Sequence, residues 1–218
     1  MAHHFHSHSV EKPAQTEGTL IRWAPYYDLA VNLTTLGHAR LLRKLTVDNA
    51  LIRPGDSVLD VGCGTGEVTL LAKTRVKAGK VYGIDPAPEM IAVARRKAAH
   101  KRLDVDFRVG VIEALPFPDS SIDVVTSSLM MHHLPEELKV RGLAEIYRVL
   151  KPGGGLLIAD FMRPTGSFLN HLFIAFTRHQ GLKSGIEDLQ KLLKAAGFNQ
   201  ITQLDENVLI IGFVRAIK

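Results

Sequence analysis

Short apolar runs alternate with helical segments along most of the chain, and this alternation constrains the fold more than any other feature. Helical periodicity predicts one or two helices in residues 25–51, then helices at 65–76, 88–100, 136–150 and 186–196. Apolar runs predict strands at 57–61, 80–84, 105–109, 122–127 and 156–161. A β–α alternation of this kind predicts a parallel sheet with helices on both faces.

Two closing runs, at residues 200–204 and 208–216, look like strands joined by a turn, and the hairpin adds one antiparallel strand. The predicted fold is therefore an α/β, Rossmann-like, doubly wound sheet of seven strands, mostly parallel. A chain of 218 residues is long enough for one such domain and short for two. We assign residues 19–218 to this domain and predict a disordered, His-rich leader at residues 1–18.

Composition excludes several classes of protein. With one cysteine, Cys63, no intramolecular disulfide or four-cysteine zinc site is possible. No apolar run approaches the roughly 20 residues of a membrane helix, and no signal-peptide layout opens the chain, which predicts a cytoplasmic location. Net charge is +5, but the basic residues are spread over several segments. That spread favours solvated helix faces over a nucleic-acid surface.

A glycine-rich loop lies between the first predicted strand and its helix, in the sequence DVGCGTG from Asp60 to Gly66. Glycines at 62, 64 and 66 allow a tight turn and a close approach of the backbone to a ligand. The loop has the form GxGxG with no lysine after it, unlike phosphate-binding loops. It therefore suits a ligand without a pyrophosphate, and Asp60 at the strand tip would attract a cationic amine.

Asp85 ends the next predicted strand, about 20 residues beyond the glycine loop. A carboxylate at this place can accept hydrogen bonds from both hydroxyls of a ribose. The alternative role is capping of the following helix, and the two roles are compatible. The stretch after the third strand, residues 110–117, is placed to wall an adenine.

Four motifs in order, LDVGCGTG, GID, EALPFPDSSIDVV and RVLKPGG, resemble those of class I S-adenosylmethionine-dependent methyltransferases over roughly residues 55–160. The resemblance implies S-adenosylmethionine as cofactor and S-adenosylhomocysteine as product. It implies that Asp60 and the glycine loop hold the methionine end, that Asp85 takes the ribose, and that Met90 packs on the adenine. The candidate cofactor-binding residues are Tyr27, Asp60, Gly62, Cys63, Gly64, Asp85, Pro86, Met90, Val111, Ile112, Ser127 and Ser128.

One position departs from the family pattern. Relatives commonly read GDAEALPF after the third strand, and the acid contacts the adenine amino group. This chain reads GVIEALPF, with Val111 and Ile112 in place of the acid and its neighbour. An apolar pair can sandwich a purine ring, and Ile112 keeps its backbone N–H. We expect weaker or less adenine-selective cofactor binding.

Two further stretches are similar to signatures of the quinone C-methyltransferases of ubiquinone and menaquinone synthesis. They are YYDL from Tyr26, followed by Leu36-Gly37 and Arg40, and RVLKPGG running on to DFMRP at Pro164. The resemblance implies an N-terminal helical lid over the site. The chain departs from the signature at Val31, where asparagine is expected, and its region after Pro164 is shorter. The expected acceptor is small and apolar or lipid-like, either a quinone precursor or a phospholipid headgroup.

The stretch SSLMMHHLP follows the fourth predicted strand. A metal site is disfavoured because two adjacent histidines point in different directions and no third ligand is evident nearby. We expect Ser127 and Ser128 to offer backbone groups to the methionine amine, His132 to face the acceptor, and His133 to pack under the next helix. No metal is expected.

Methyl transfer is an in-line displacement, so catalysis needs positioning, and it needs a base only if the acceptor loses a proton. The candidate catalytic residues are His132, Tyr27 and Arg163, with His38 and Arg40 as further candidates in the lid. Arg163 is placed to steady an enolate or phosphate, or it is a surface arginine. The apolar segment 166–181 is either core, an acceptor wall or a membrane-facing patch.

Two other functions stay open on the sequence. A nucleic-acid or protein methyltransferase fits the basic balance, but the Asn-Pro-Pro-[Tyr/Phe] stretch of amino-directed nucleic-acid enzymes is replaced by Ser128-Leu129-Met130-Met131. A non-catalytic protein that binds the cofactor as a scaffold fits the loss of the acid at Val111.

Overall fold

The computed structural model describes residue 16, residues 24–162 and residues 185–218. None of the helices in these ranges is both long and apolar enough to cross a bilayer. A 3₁₀ turn, Met131–His133, follows the fourth strand. In chain order the helices and strands are α1 (Ala24–Thr34), α2 (Ala39–Asn49), β1 (Val58–Val61), α3 (Glu67–Val76), β2 (Val81–Asp85), α4 (Pro88–Lys101), β3 (Asp106–Val109), β4 (Ile122–Ser128), α5 (Glu136–Val149), β5 (Leu150–Phe161), α6 (Ile186–Ala195), β6 (Asn199–Val208) and β7 (Ile211–Ile217).

The described strands form one seven-stranded sheet in the order β3-β2-β1-β4-β5-β7-β6. Strands β1 to β5 pair in parallel, and β7 runs antiparallel to both β5 and β6. The predicted doubly wound, mostly parallel sheet with an antiparallel C-terminal strand is therefore confirmed. The strand order reverses between β1 and β4, and a ligand crevice is expected at the carboxyl ends of these strands.

The sheet has apolar side chains on both faces, because successive strand residues point to opposite sides. Helices α5 and α6 cover one face, and α2 and α3 cover the other. This two-sided burial explains why the strands read as continuous apolar runs. One face buries Leu59, Val125 and Ile158 against Leu143 and Leu189, and the other buries Val58, Val124 and Leu157 against Leu42 and Val68.

Two element boundaries differ from the sequence prediction because of tertiary pairing. Strand β5 begins at Leu150, six residues before the predicted start, since Leu150 pairs with Ile122. In the same stretch the Gly153 N–H donates to the Lys218 carbonyl at 3.0 Å. Val208, predicted to open the last strand, instead ends β6 and pairs with Ile211 across a two-residue turn.

Candidate active site

A cleft opens at the carboxyl ends of the central strands, with about 680 Å³ of space that includes open solvent at its mouth. A second cleft of about 440 Å³ adjoins it and shares Tyr27, Gly62 and Leu129 with it. We call the first the main cleft and the second the side cleft. The main cleft is lined by residues that include Thr16, Tyr27, Gly62, Gly64, Asp85, Pro86, Met90, Val111, Ile112, Glu113, Leu129, Met130, His133 and Leu134, and the side cleft by residues that include Asp28, Arg43, Asp60, Cys63, Thr65 and Ser128.

Asp60 lies in β1 and borders the side cleft. Its side chain is buried, and its two carboxylate oxygens accept hydrogen bonds from the hydroxyls of Thr69 (2.6 Å) and Thr126 (2.9 Å). Burial raises the pKa of Asp60 to about 6, and the two hydroxyl groups offset only part of that rise. A cation in the side cleft would therefore favour the ionised carboxylate.

The glycine loop, residues 62–66, is fixed to the end of β2 by its backbone. The N–H groups of Gly62 and Cys63 both donate to the Ile84 carbonyl, at 2.8 and 2.9 Å. Gly62 has a φ of +74°, and a Cβ atom there would lie 2.3 Å from Cγ of Met130. Glycine is thus required both by the left-handed backbone and by the close approach of the cleft wall.

Asp85 connects the glycine loop to helix α4. Its Oδ2 accepts from the Gly64 N–H and its Oδ1 from the Ala87 N–H, both at 2.9 Å. Burial raises the pKa of Asp85 to about 6, although both backbone N–H groups favour the ionised form. Each carboxylate oxygen has a second lone pair, so both oxygens can also accept from hydroxyl groups in the cleft.

The lid helix α1 is held on the glycine loop by a charged cluster around Asp28. Asp28 accepts from Lys97 Nζ (2.5 Å), from the Thr65 hydroxyl (2.9 Å) and from Arg43 (3.0 Å). Lys97 also reaches Glu67 at 2.7 Å. Burial opposes ionisation of Asp28, but the hydrogen bond from Lys97 and the charge of Arg43 outweigh it and lower the pKa. The cluster joins α1 to helices α2, α3 and α4.

Tyr27, the neighbour of Asp28, lies over the glycine loop. A Cβ atom on Gly64 would lie 3.3 Å from Cε1 of the Tyr27 ring. Burial raises the pKa of Tyr27 to about 12, with a further contribution from the carboxylate of Asp85. The phenol is therefore protonated near pH 7, so it can donate a hydrogen bond but is no base.

The two adjacent histidines point in different directions, but not as the sequence predicts. The ring of His132 is buried, and its Nδ1–H donates to Asp160 at 2.7 Å. His133 lines the main cleft instead, with its ring 3.9 Å from that of His132. Burial and the neighbouring His132 lower the pKa of His133 to about 4. The predicted orientation is thus exchanged, because Asp160 on β5 holds His132 away from the main cleft.

The sequence of this chain is similar to those of known proteins. The family described as "Methyltransferase domain" matches residues 58–154. The ubiquinone/menaquinone biosynthesis C-methyltransferase UbiE of Hydrogenovibrio crunogenus is 30% identical over 95% of this chain and 91% of its own length. The chain belongs to the S-adenosylmethionine-dependent methyltransferases.

Other relatives agree with this membership. The demethylmenaquinone methyltransferase of Thermus thermophilus is 40% identical over 65% of this chain, and the match spans 63% of the relative's length. A crystal structure of a SAM-dependent methyltransferase from Aquifex aeolicus, 24% identical, superposes with a TM-score of 0.67 over 80% of this chain and 88% of that chain. A likeness at that identity shows the shared fold.

Several residues that the sequence predicts to be in the site lie away from the two clefts of this methyltransferase. Ser127 is fully buried and is not among the lining residues of either cleft, because it lies within β4 and pairs with Ile158 of β5. His38 turns its ring onto the carbonyls of Thr35 and Leu36, both at 3.1 Å, and it lines neither cleft. Arg40 is exposed and also lines neither cleft. Arg163 and the apolar segment 166–181 lie outside the described residues.

Cys63 and Ile112 lie beside the clefts, but their side chains pack elsewhere. The Cys63 thiol is buried in a cluster with Phe107, and burial raises its pKa. Ile112 packs onto helix α5, where a Cβ atom on Gly142 would lie 2.6 Å from it. Because the Ile112 side chain packs on α5, we expect the apolar contact with a purine to come from Val111.

Among the cleft residues absent from the candidate site residues of the sequence analysis are Thr16, Asp28, Glu113 and His133. Asp28 has a signal, since it belongs to the YYDL stretch, and Glu113 lies within the stretch assigned to the adenine wall. Thr16 was placed in a disordered leader, yet its hydroxyl donates to Glu113 at 2.8 Å.

Proposed function

We propose that this chain transfers a methyl group from S-adenosylmethionine to a ring carbon of a small, apolar quinone precursor. The observation that carries the proposal is the pair of adjoining clefts. Asp60 borders one, Asp85 borders the other, and an apolar wall of Leu129, Met130 and Leu134 follows β4. Relatives at 30% and 40% identity are named as quinone-biosynthesis methyltransferases.

The two clefts match the parts of S-adenosylmethionine in order. A carboxylate in the side cleft, Asp60, suits the methionine amine, and one in the main cleft, Asp85, suits the ribose hydroxyls. Buried Met90 and the half-buried ring of Pro86 provide an apolar surface for the adenine. When bound, this cofactor supplies an electrophilic methyl group.

His133 and Tyr27 are the side chains we assign to the acceptor. With its pKa near 4, His133 is neutral at pH 7 and can accept a hydrogen bond from an acceptor hydroxyl. Tyr27 stays protonated and donates. His132 touches His133 from behind and is fixed by Asp160, so we assign it a positioning role. Arg163 keeps its proposed role of steadying negative charge on the acceptor.

The lid helix has an apolar outer face that supports peripheral contact with a lipid surface. Leu36, just beyond the end of α1, is 73% exposed, and within the helix Tyr26, Leu29 and Leu33 recur at intervals of three or four residues and are 58 to 68% exposed. Such spacing places them along one side of a helix. Exposed Arg40 and Lys44 follow, and anionic headgroups would attract both. A membrane-soluble acceptor could then reach the cleft from the lipid.

The experiment that tests this function is methyl transfer from radiolabelled S-adenosylmethionine to three acceptors. They are a demethylated naphthoquinol with a short isoprenoid tail, phosphatidylethanolamine vesicles and RNA. We expect transfer to the naphthoquinol ring carbon alone. Transfer to phosphatidylethanolamine or RNA instead would contradict the proposal, and binding of the cofactor without any transfer would favour the scaffold alternative.

Histidine variants provide the controls for this assay. We expect His133→Ala to lower kcat by roughly 100-fold, the scale of a lost acid–base contribution. His38→Ala removes a histidine outside both clefts, and the rate should stay within about twofold of wild type. Equal rates for the two variants would remove His133 from the acceptor side.

Binding of S-adenosylhomocysteine should depend on pH through Asp60 and Asp85. Because burial raises the pKa of each to about 6, both are mostly protonated at pH 5 and mostly ionised at pH 7. The ionised forms are the ones that attract an amine and accept from hydroxyls. We expect affinity to weaken by roughly tenfold per carboxylate from pH 7 to pH 5, measured by titration calorimetry.

Asp60→Asn is the diagnostic variant, because its binding should depend on pH about half as steeply, whereas exposed Asp205→Asn should leave the profile unchanged. If wild type binds with the same affinity from pH 5 to pH 7, the prediction is wrong.

The contribution of these two carboxyl groups to folding stability changes with pH in the opposite direction. A raised pKa means that the folded chain holds these protons more tightly than the unfolded chain, so their contribution favours folding below about pH 4 and is lost as pH rises through 6.

A further inference from the structure

The turn after β3 lies beside Asp85, at the end of the main cleft away from Asp60. The Gly110 N–H donates to the Asp85 backbone carbonyl at 3.1 Å, which places this turn against the end of β2. Strands β1, β2 and β3 are neighbours, so Asp60, Asp85 and the turn follow one another across the sheet. A ligand with its amine at Asp60 and its ribose at Asp85 therefore has its base at the turn.

Glu113 is the acid of this turn, and one of its oxygens lacks a partner. Its Oε1 accepts from the Thr16 hydroxyl at 2.8 Å, which fixes the carboxylate in the wall of the main cleft. Its Oε2 is buried and has no hydrogen-bond partner among the described residues. Buried polar atoms nearly always have a partner, and leaving one without it is costly. A ligand in the main cleft is placed to supply that donor.

No neighbouring side chain of the turn can do the same. Val111 is apolar, and Ile112 is apolar and packs onto Gly142 of α5. Asp85 also lines the main cleft, but the free lone pairs of its carboxylate are the ones assigned to the ribose hydroxyls. Among the turn residues that line the main cleft, Glu113 is the one whose side chain is a hydrogen-bond acceptor.

We propose that Glu113 selects adenine in the cofactor by accepting a hydrogen bond from the exocyclic amino group through Oε2. The inference rests on the proposed use of S-adenosylmethionine. It also revises the expected consequence of Val111: the acid at that position is lost, but Glu113, which GDAEALPF and GVIEALPF share, takes over its contact and is held by Thr16. A purine with a 6-oxo group in place of the amino group presents an acceptor to this carboxylate and is repelled.

The test compares two ligands that differ only along one edge of the base, S-adenosylhomocysteine, with a 6-amino group and an unprotonated N1, and S-inosylhomocysteine, with a 6-oxo group and an N1–H, by calorimetric titration. Wild type should prefer the adenine ligand by roughly 10- to 100-fold, the scale of a hydrogen bond to a charged group. In Glu113→Ala we expect the ratio of the two Kd values to fall below about threefold. Glu113→Gln keeps the shape but adds a donor, so its affinity for the inosine ligand should rise.

Two further variants separate recognition of the base from a general structural effect. Glu137→Ala removes an exposed glutamate on α5 and should keep the wild-type ratio. Adding Val111→Asp to Glu113→Ala should restore selectivity for adenine. An unchanged ratio in both Glu113 variants, with both ligands still bound, would overturn the inference. Failure of wild type to bind either ligand would instead overturn the proposed function, and the inference with it.

Discussion

Replacing Asp85 with alanine is expected to weaken binding of S-adenosylhomocysteine by at least about 100-fold. The substitution removes the acceptor of two backbone N–H groups, those of Gly64 and Ala87. Each unpaired N–H costs about 1–3 kcal/mol if it stays buried, so the glycine loop shifts away from the end of β2. The same change removes the group that we assign to the ribose hydroxyls. Titration calorimetry at pH 7.5 measures the loss.

Asp56→Ala is the matched control for Asp85→Ala. Asp56 also accepts from a backbone N–H, that of Arg53 at 2.7 Å, but it lies in the turn before β1, outside both clefts. Its variant should bind within about twofold of wild type. Wild type should bind a deoxyribose analogue more weakly than S-adenosylhomocysteine. Asp85→Ala should bind the two ligands with nearly equal affinity. A folded Asp85→Ala that binds within threefold of wild type would contradict the assignment.

The second large effect is expected at Gly66, which begins helix α3. Its φ is +82°, and a Cβ atom would lie 2.7 Å from Phe107 Cζ and 2.9 Å from Ala94 Cβ. Both neighbours are buried in a packed cluster, so neither can move away freely. Gly66→Ala should therefore lower the free energy of unfolding by about 2–5 kcal/mol, of which about 1–2 is left-handed strain and about 1–3 is overpacking. Urea denaturation at 25 °C measures it.

Gly37 separates these two causes. Its φ of +84° is nearly the same, but no atom lies within 4 Å of the Cβ position. Gly37→Ala should cost only the backbone strain, about 1–2 kcal/mol. The difference between the two variants then measures the overpacking against Phe107 and Ala94. Equal losses for both would show that the contact at Gly66 relaxes and that this explanation is wrong.

Much of the fold follows from local sequence. The strand and helix assignments rest on periodicity and on turn residues, and the doubly wound sheet follows from their order because parallel strands need crossover helices. The end of α3 at Val76 and the start of α4 at Pro88 are as predicted. By contrast α3 begins at Glu67 and not at Thr65, because the left-handed Gly66 cannot continue a helix backwards.

The histidine pair illustrates what local sequence leaves open. His132 and His133 share the same short 3₁₀ turn and similar neighbours, so nothing in SSLMMHHLP favours one over the other. The choice is made by Asp160, which lies 28 residues later and reaches both the ring and the backbone N–H of His132. Glu113 is a similar case: its motif is visible, but the partner of Oε1 and the unpaired Oε2 depend on Thr16, 97 residues earlier.

The sequence by itself determined the order of elements, the glycine loop and the acids at the strand tips, Asp60 and Asp85. These features depend on residues close together in the chain, where periodicity, turn chemistry and spacing act directly. Only the tertiary structure decided which histidine faces the main cleft, where β5 starts, and how Asp28 holds the lid on the glycine loop. Each of those depends on a hydrogen bond or ion pair between distant segments, whose contact the sequence pattern does not encode.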